Sequence, residues 1–479
     1  IMLYKYIIHK IKENFPFEPT KDQFNVIELV SRFILSKEAS EILLIKGYAG
    51  TGKTSLMATI IKVLQELKQQ TVLLAPTGRA AKVFSYYAGH PAFTIHKEIY
   101  RQKTQTNFQA DFSLDKNLKR QTLFFVDEAS MISNQSYSDS LFGSQRLLDD
   151  LITYVYSSNC RLVLLGDTAQ LPPVGEALSP ALDKDHLASY GLTVYEYSLT
   201  EVVRQAEDSG ILVNATLLRN QIKAQEFDAL PQLAIGRFSD VEPISGGQLI
   251  DRLSSDYQRE GMDETVVICR SNKRANVYNQ GIRNAILYRE EELSTGDRLM
   301  VVKNNYYWTE KIKEFDFIAN GEILKVNRIH KVYDLYGFRF ADVLLSFPDY
   351  DDLELKVKVI MDTLHSEAPA LSLADQERLF EKVSEDYMHL SRKRERIEQI
   401  RKDPHFNALQ VKFSYAITCH KAQGGQWANV FIDQGYMTDD YVNSDYFRWL
   451  YTAVTRATQK VYLVNFPKQQ VGELPNSMF

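Results

Sequence analysis

Gly47-Tyr48-Ala49-Gly50-Thr51-Gly52-Lys53-Thr54 fits G-x-x-x-x-G-K-[ST], the pattern of a loop that cradles nucleotide phosphates. Its flanks agree. Ile42-Leu43-Leu44-Ile45 before it reads as a short apolar strand, and Ser55 to Leu64 after it reads as a helix. Gly47, Gly50 and Gly52 let the backbone turn its N–H groups inward, Thr51 belongs to the same cradle, and the helix N-terminus adds the positive end of its dipole. Lys53 is placed to neutralise β- and γ-phosphate charge and Thr54 to ligate Mg²⁺. Strand, glycine loop and helix predict an α/β fold that binds ATP with Mg²⁺.

Working outward, Lys21 opens a run with Val26, Ile27, Leu29, Val30, Phe33 and Ile34 at helical spacing, with Thr20 as N-cap. Gln23 in its first turn reads either as a contact to the adenine edge, through an amide that both donates and accepts, or as a solvent-exposed glutamine. Downstream, Gln121 to Val126 is an apolar strand that delivers Asp127-Glu128. Asp127 would hold Mg²⁺ and Glu128 would polarise the attacking water. Arg161 to Leu165 is a further strand, and Gln170 beyond it is placed to touch the γ-phosphate or its water. Polar residues at strand tips gather on the edge where open α/β sheets bind ligands. The polar segment 98–120 lacks helical periodicity and reads as an inserted hairpin or loop.

A second α/β unit begins near Leu199, with strands at Thr265–Cys269, Val430–Ile432 and Val461–Val464 and no second glycine loop. Arg204 and Arg456 lie at its segment ends, which places the nucleotide in a cleft that the second unit completes with arginines. Residues 291–345 read as short strands of an inserted β-barrel, and 370–403 as charged helix ending at Asp403-Pro404. The run Ser391 to Arg396 reads as a solvated helix face.

The chain has 479 residues, enough for roughly two to four domains. Its net charge of −5 excludes a globally basic nucleic-acid binder, so any such surface is a local groove. Cys160, Cys269 and Cys419 have neither metal-ligand nor disulfide-framework spacing, which predicts a reducing, cytoplasmic setting. No apolar run approaches a membrane span, and the first residues lack the features of a signal peptide.

The ordered segments Gly47–Thr54, Ala75–Ala81, Val126–Ser130, Gly166–Pro173, Thr200–Gln205, Ala416–Gln426 and Leu450–Ala457 resemble the motif set of the superfamily 1 DNA helicases of the RecD and Dda type. The resemblance runs from about Gln23 to Asn465. It implies two RecA-like domains, 1–198 and then 199–290 with 406–470. It further implies a strand-separating pin at 98–120, an SH3-like barrel at 291–345 and a helical extension at 346–405. It matches Gln23 to the adenine contact, Lys53, Thr54, Asp127 and Glu128 to the hydrolysis core, Gln170 to the γ-phosphate sensor, and Arg204 and Arg456 to the arginines of the second domain. It places Pro76, Thr77, Arg79, Thr94 and His96 on single-stranded DNA in the first domain, and Asn272, Thr418 and His420 in the second.

The function so implied is an ATP-dependent DNA helicase that moves 5′→3′ on single-stranded DNA and opens junctions with duplex. It would act as a monomer in repair or recombination, without a membrane. An RNA helicase, or a translocase subunit of a larger nuclease complex, is the alternative. A nucleotide switch that moves along nothing would lack arginines delivered by a second unit, and Arg456 counts against it.

Overall fold

The computed structural model describes residues 2–102, 112–135, 144–203, 208–310, 312 and 317–472. Its strands, in chain order, are β1 (Glu41–Gly47), β2 (Thr71–Ala75), β3 (Ala92–Thr94), β4 (Tyr100–Gln102), β5 (Phe112–Leu114), β6 (Leu123–Val126), β7 (Arg161–Gly166) and β8 (Thr193–Leu199). There follow β9 (Val241–Ile244), β10 (Thr265–Cys269), β11 (Arg298–Val301), β12 (Ile323–Leu335) and β13 (Phe338–Phe347), then β14 (Leu353–Ile360), β15 (Leu409–Phe413), β16 (Ala416–Thr418), β17 (Trp427–Asp433) and β18 (Ala457–Val464).

Two parallel sheets carry the chain. The first runs β3-β2-β6-β7-β1-β8 and the second β16-β10-β17-β18-β9. Parallel strands are covered on both faces and therefore read as unbroken apolar runs; β6, β10 and β17 are buried at every position. The helix Lys21–Leu35 is entered through a capping box in which Thr20 and Gln23 satisfy each other's backbone N–H groups.

The insertion is a closed barrel, β11-β12-β13-β14-β15, and it is larger than the sequence predicts. The stretch 291–345 supplies two of its strands and part of β13; β14 falls in the range 346–405 read as helical, and β15 in the range 406–470 read as second domain. β14 misleads because Glu354, Lys356 and Lys358 alternate with Leu355, Val357 and Val359. The charges face outward and the apolar residues fill the barrel, a period of two that a charge count hides. The helices of the extension are Leu373–Asp386 and Lys393–Arg401. In the run Ser391–Arg396, Arg392 is exposed and pairs locally with Glu395, the arrangement of a solvated face.

Barrel residues Leu299, Val301, Leu324 and Val343 share one core with Val267, Cys269 and Phe431 of the second sheet. At their junction Asp297, fully buried, takes Arg283 at 3.1 Å, Arg289 at 2.7 Å and the Tyr415 hydroxyl at 2.9 Å. A carboxylate so enclosed is tolerable because every lone pair it offers is used by a donor.

Candidate nucleotide cleft and nucleic-acid interface

The glycine loop joins β1 to the helix Lys53–Glu66. Gly50 and Gly52 adopt φ of 78° and 71°, where a side chain would be strained. Gln23 is pressed against this loop: a Cβ on Gly52 would stand 2.5 Å from its Nε2. Its amide donates to the Thr51 carbonyl at 2.9 Å and accepts the Thr20 N–H at 3.0 Å, with 2% of the residue exposed. Gln23 therefore braces the loop, with one N–H and one lone pair remaining for an adenine edge.

Strand order brings the acidic pair beside the loop. The tip of β6 carries Asp127, whose carboxylate lies 3.7 Å from Lys53 Nζ and accepts the Glu128 N–H at 2.8 Å. Lys53, Thr54 and Asp127 line one small cavity with Phe84 and Tyr87. A hydroxyl and a carboxylate beside a phosphate cradle are the oxygen donors that suit Mg²⁺, which takes its remaining ligands from phosphates and water. Glu128 holds φ at 54°, a left-handed conformation that a non-glycine residue keeps only when its surroundings impose it. Burial raises its carboxyl above the ordinary range, against the pull of Arg456.

Arg456 comes from the second domain, two residues past the helix Ser444–Val454. Its Nη1 lies 4.0 Å from Glu128 Oε1, while its other N–H groups are held by the Thr452 carbonyl at 3.1 Å and Thr455 Oγ1 at 3.3 Å. Gln170 is buried at the same boundary, and its Oε1 has no partner among the described residues. Its neighbours cross to the same helix: the Leu171 N–H donates to Thr452 Oγ1 at 2.9 Å, and Arg448 donates to the Thr168 carbonyl. Arg204 lies outside the described residues, as does Phe108 of the predicted pin segment.

Several cleft residues escaped the sequence reading. Tyr451 bonds both the glycine loop and Asp167. Arg219, from the helix Gly210–Ala224, stacks over Tyr48 at 4.9 Å. Tyr451 lies within Leu450–Ala457, yet nothing in its spacing shows which strand its hydroxyl meets.

The nucleic-acid candidates fall at two pairs of strand tips. Ala75 pairs with Thr94, so Pro76, Thr77, Thr94 and His96 emerge side by side and line a cavity of about 110 Å³. Thr77 and Thr94 each cap a helix, accepting the N–H of Ala80 and of Lys97 at 3.2 Å. That use leaves each hydroxyl proton to donate. Burial lowers the His96 imidazole to about 4, so it is neutral near pH 7. Asn304, Phe317, Asn320 and Tyr350 line the same cavity, which sequence reasoning missed because they lie more than two hundred residues away. In the second domain Cys269 pairs with Thr418, which sets Asn272, Thr418 and His420 at adjacent tips.

Arg79 departs from this group. Its guanidinium lies over the Trp427 ring at 4.0 Å and donates to the Gln426 carbonyl at 3.2 Å. The resemblance places Arg79 on DNA, and in the structure the helix Gly78–Ala88 carries this side chain toward the Gly424-Gly425 loop of the second domain.

An AAA domain model matches residues 28–235, and a UvrD-like helicase C-terminal domain model matches 413–464. An uncharacterized protein of Acanthamoeba polyphaga mimivirus is 23% identical over 92% of this chain and 98% of its own length. The ATP-dependent RecD2 DNA helicase of Deinococcus radiodurans is 26% identical, over 55% of this chain and 34% of that protein. The ATP-dependent DNA helicase dda of Enterobacteria phage T4 is 26% identical, over 64% of this chain and 67% of that protein. Among solved structures, Pif1 helicase from Bacteroides in complex with ADP-AlF3 and ssDNA covers 96% of this chain and 95% of that one, at 16% identity and a TM-score of 0.46.

Proposed function

We propose that this chain, a superfamily 1 helicase of the RecD and Dda type, hydrolyses ATP to move 5′→3′ along single-stranded DNA and to part the duplex it meets. One observation carries the motor reading: the phosphate site is built from both domains, with Arg456 of the second reaching within 4.0 Å of Glu128 in the first.

Each residue then has a task. Backbone N–H groups of Gly50 to Thr54 and the Lys53 ammonium bind the β- and γ-phosphates. Thr54 and Asp127 would hold Mg²⁺, which when bound neutralises phosphate charge. Glu128 orients and polarises the attacking water, and its raised pKa makes it the stronger base. Gln170 offers its unpartnered Oε1 to that water or its amide to the γ-phosphate. Arg456, with Arg204 as a second candidate, stabilises charge on the leaving phosphates. ATP thereby binds the closed cleft more tightly than the open one, and hydrolysis removes that difference.

Thr77, Thr94 and the neutral His96 on one domain, and Asn272, Thr418 and His420 on the other, grip the strand through groups of little charge. Such contacts hold the backbone without reading sequence and let the two grips alternate. This also explains how an acidic chain binds DNA. The direction rests on the resemblance to the RecD and Dda type, since both polarities use the same hydrolysis core.

Three duplexes test the proposal, carrying a 5′ DNA tail, a 3′ DNA tail or a 5′ RNA tail. With Mg²⁺ and ATP the 5′ DNA tail supports unwinding, the 3′ tail does not, and the RNA tail does so poorly. Binding weakens with salt at a slope of about −0.7 per phosphate contacted. Unwinding from the 3′ tail alone removes the direction, preferential unwinding from RNA removes the DNA substrate, and hydrolysis indifferent to all three removes the motor.

A further inference from the structure

Resting on the ATP-driven reading above, we infer that the Tyr451 hydroxyl is the positioning group through which the second domain makes ATP turnover depend on bound DNA. Tyr451 belongs to the helix Ser444–Val454 of the second domain, yet its hydroxyl lies among first-domain atoms. It accepts the Ala49 N–H of the glycine loop at 2.9 Å and donates to Asp167 Oδ2 at 2.5 Å. The other oxygen of Asp167 takes the Ala169 N–H at 2.9 Å. Tyr451 is fully buried and Asp167 nearly so, hence water does not readily replace the bond between them. A phenol has one proton to give, and here both its donor and an acceptor lone pair are committed across the cleft.

The position of these atoms gives the bonds a role beyond adhesion. Ala49 lies in the loop whose backbone holds the phosphates. Asp167 sits at the tip of β7, between the strand of that loop and the strand that delivers Asp127. The same helix leads two residues on to Arg456, so a shift of Tyr451 against Ala49 is a shift of Arg456 against Glu128. Toward the DNA side, Cys419 Sγ bonds the Trp449 carbonyl of this helix at 3.5 Å, and Cys419 stands between Thr418 and His420. Strand occupancy at those two residues therefore bears on the helix, and the helix bears on the loop through one hydroxyl. Energetic coupling along this run of contacts is the quantity the test measures.

Tyr451→Phe keeps the ring and removes the hydroxyl, leaving the Ala49 N–H and a buried carboxylate oxygen without this partner. ATPase rates of the full chain are measured with and without a thymidine oligonucleotide, alongside fluorescent-nucleotide binding and melting temperature. The ratio of stimulated to unstimulated rate falls about ten-fold, while nucleotide affinity changes by less than about three-fold. Asp167→Ala removes the other end of the bond and gives a similar loss. The double variant loses no more than either single one, as two residues acting through one interaction must. A ratio within about two-fold of the wild type in a folded Tyr451→Phe chain overturns the inference, as do losses that multiply in the double variant. A lowered melting temperature with an unchanged ratio also overturns it, since that is structural glue. If the wild-type chain itself shows no DNA stimulation, the motor reading has failed instead.

Discussion

Arg79 of the first domain lies over the Trp427 ring of the second, the guanidinium carbon 4.0 Å from the ring centroid. The close approach depends on two glycines. A Cβ on Gly425 would stand 2.9 Å from Arg79 Nε, and one on Gly424 would stand 2.9 Å from Ala80 Cβ. Tyr87 adds a bond from its hydroxyl to Gln426 Oε1 at 2.9 Å. The first-domain helix Gly78–Ala88 and the second-domain segment Ala422–Trp427 thus meet as two faces of one joint.

If Arg79 holds the domains together, Arg79→Met slows ATP turnover about two- to thirty-fold, the range of a cation–π contact of about 0.5–2 kcal/mol. The salt dependence of single-strand binding stays unchanged. A slope shallower by about 0.7 in the variant would place Arg79 on the DNA, since that is the signature of one lost phosphate contact.

Arg79 also marks the limit of what a sequence can disclose. The glycine loop, its strand and helix, Thr20 as a cap and the β6 tip with Asp127-Glu128 are legible because each is a local pattern with its own backbone requirement. Residues 265–269 read as a strand because a doubly covered parallel strand is apolar throughout. Val241–Ile244 escapes because Pro243 interrupts it, which an edge strand beside β18 tolerates. Leu353–Ile360 escapes because its outward charges mimic a polar helix. What Gln23, Arg79 and Tyr451 touch is decided by chain crossings of 28 to 402 residues, and no local rule encodes those.

The hydrolysis residues separate by step. Lys53→Ala abolishes ATPase activity by removing the cation at the phosphates. Glu128→Gln keeps nucleotide and Mg²⁺ binding and lowers turnover about 10²- to 10⁴-fold, the usual worth of a positioned base. Burial already lifts the Glu128 carboxyl and Arg456 opposes that lift, so Arg456→Ala moves the acid limb of the pH–rate profile to higher pH. A near wild-type rate in Glu128→Gln, measured by phosphate release, removes that residue from the chemistry.

The predicted pin has an anchored base. β4 and β5 pair with Tyr100 opposite Leu114, the Asp115 N–H bonds the Ile99 carbonyl at 2.8 Å, and the Tyr100 hydroxyl bonds Asp150 at 2.7 Å. Because Ile99 and Tyr100 are core residues, the informative change replaces only 103–111 with a short Gly-Ser linker. DNA-stimulated ATPase survives and unwinding of a tailed duplex collapses. If Phe108 or Phe112 stacks on the first base pair, replacing it alone by Ala costs about 1–3 kcal/mol of that contact. Loss of ATPase together with unwinding would make the segment structural.

Glu322 gives the joint between barrel and first domain a pH dependence. It sits just ahead of β12 with 3% of its surface exposed, and a Cβ on Gly78 would stand 2.8 Å from its Oε1. Tyr350 donates to Oε1 at 2.7 Å, while Oε2 has no partner among the described residues. Burial lifts this carboxyl from 4.5 to about 8, the Tyr350 hydroxyl pulls it down and Asp349 pushes it up. Lys82 pairs with Asp349 at 3.6 Å and offsets part of that push. A group with its folded pKa above its unfolded one binds more protons when folded. Its contribution is therefore complete below pH 4.5 and lost progressively as pH rises to about 8. The slope approaches about 1.4 kcal/mol per pH unit for one proton. Glu322→Gln keeps an acceptor for Tyr350, adds a donor and cannot ionise. Melting temperatures taken from pH 5 to pH 9 fall less steeply in the variant, which becomes the more stable chain at the alkaline end. Parallel curves for the two proteins would show that Glu322 does not hold its proton in the folded state.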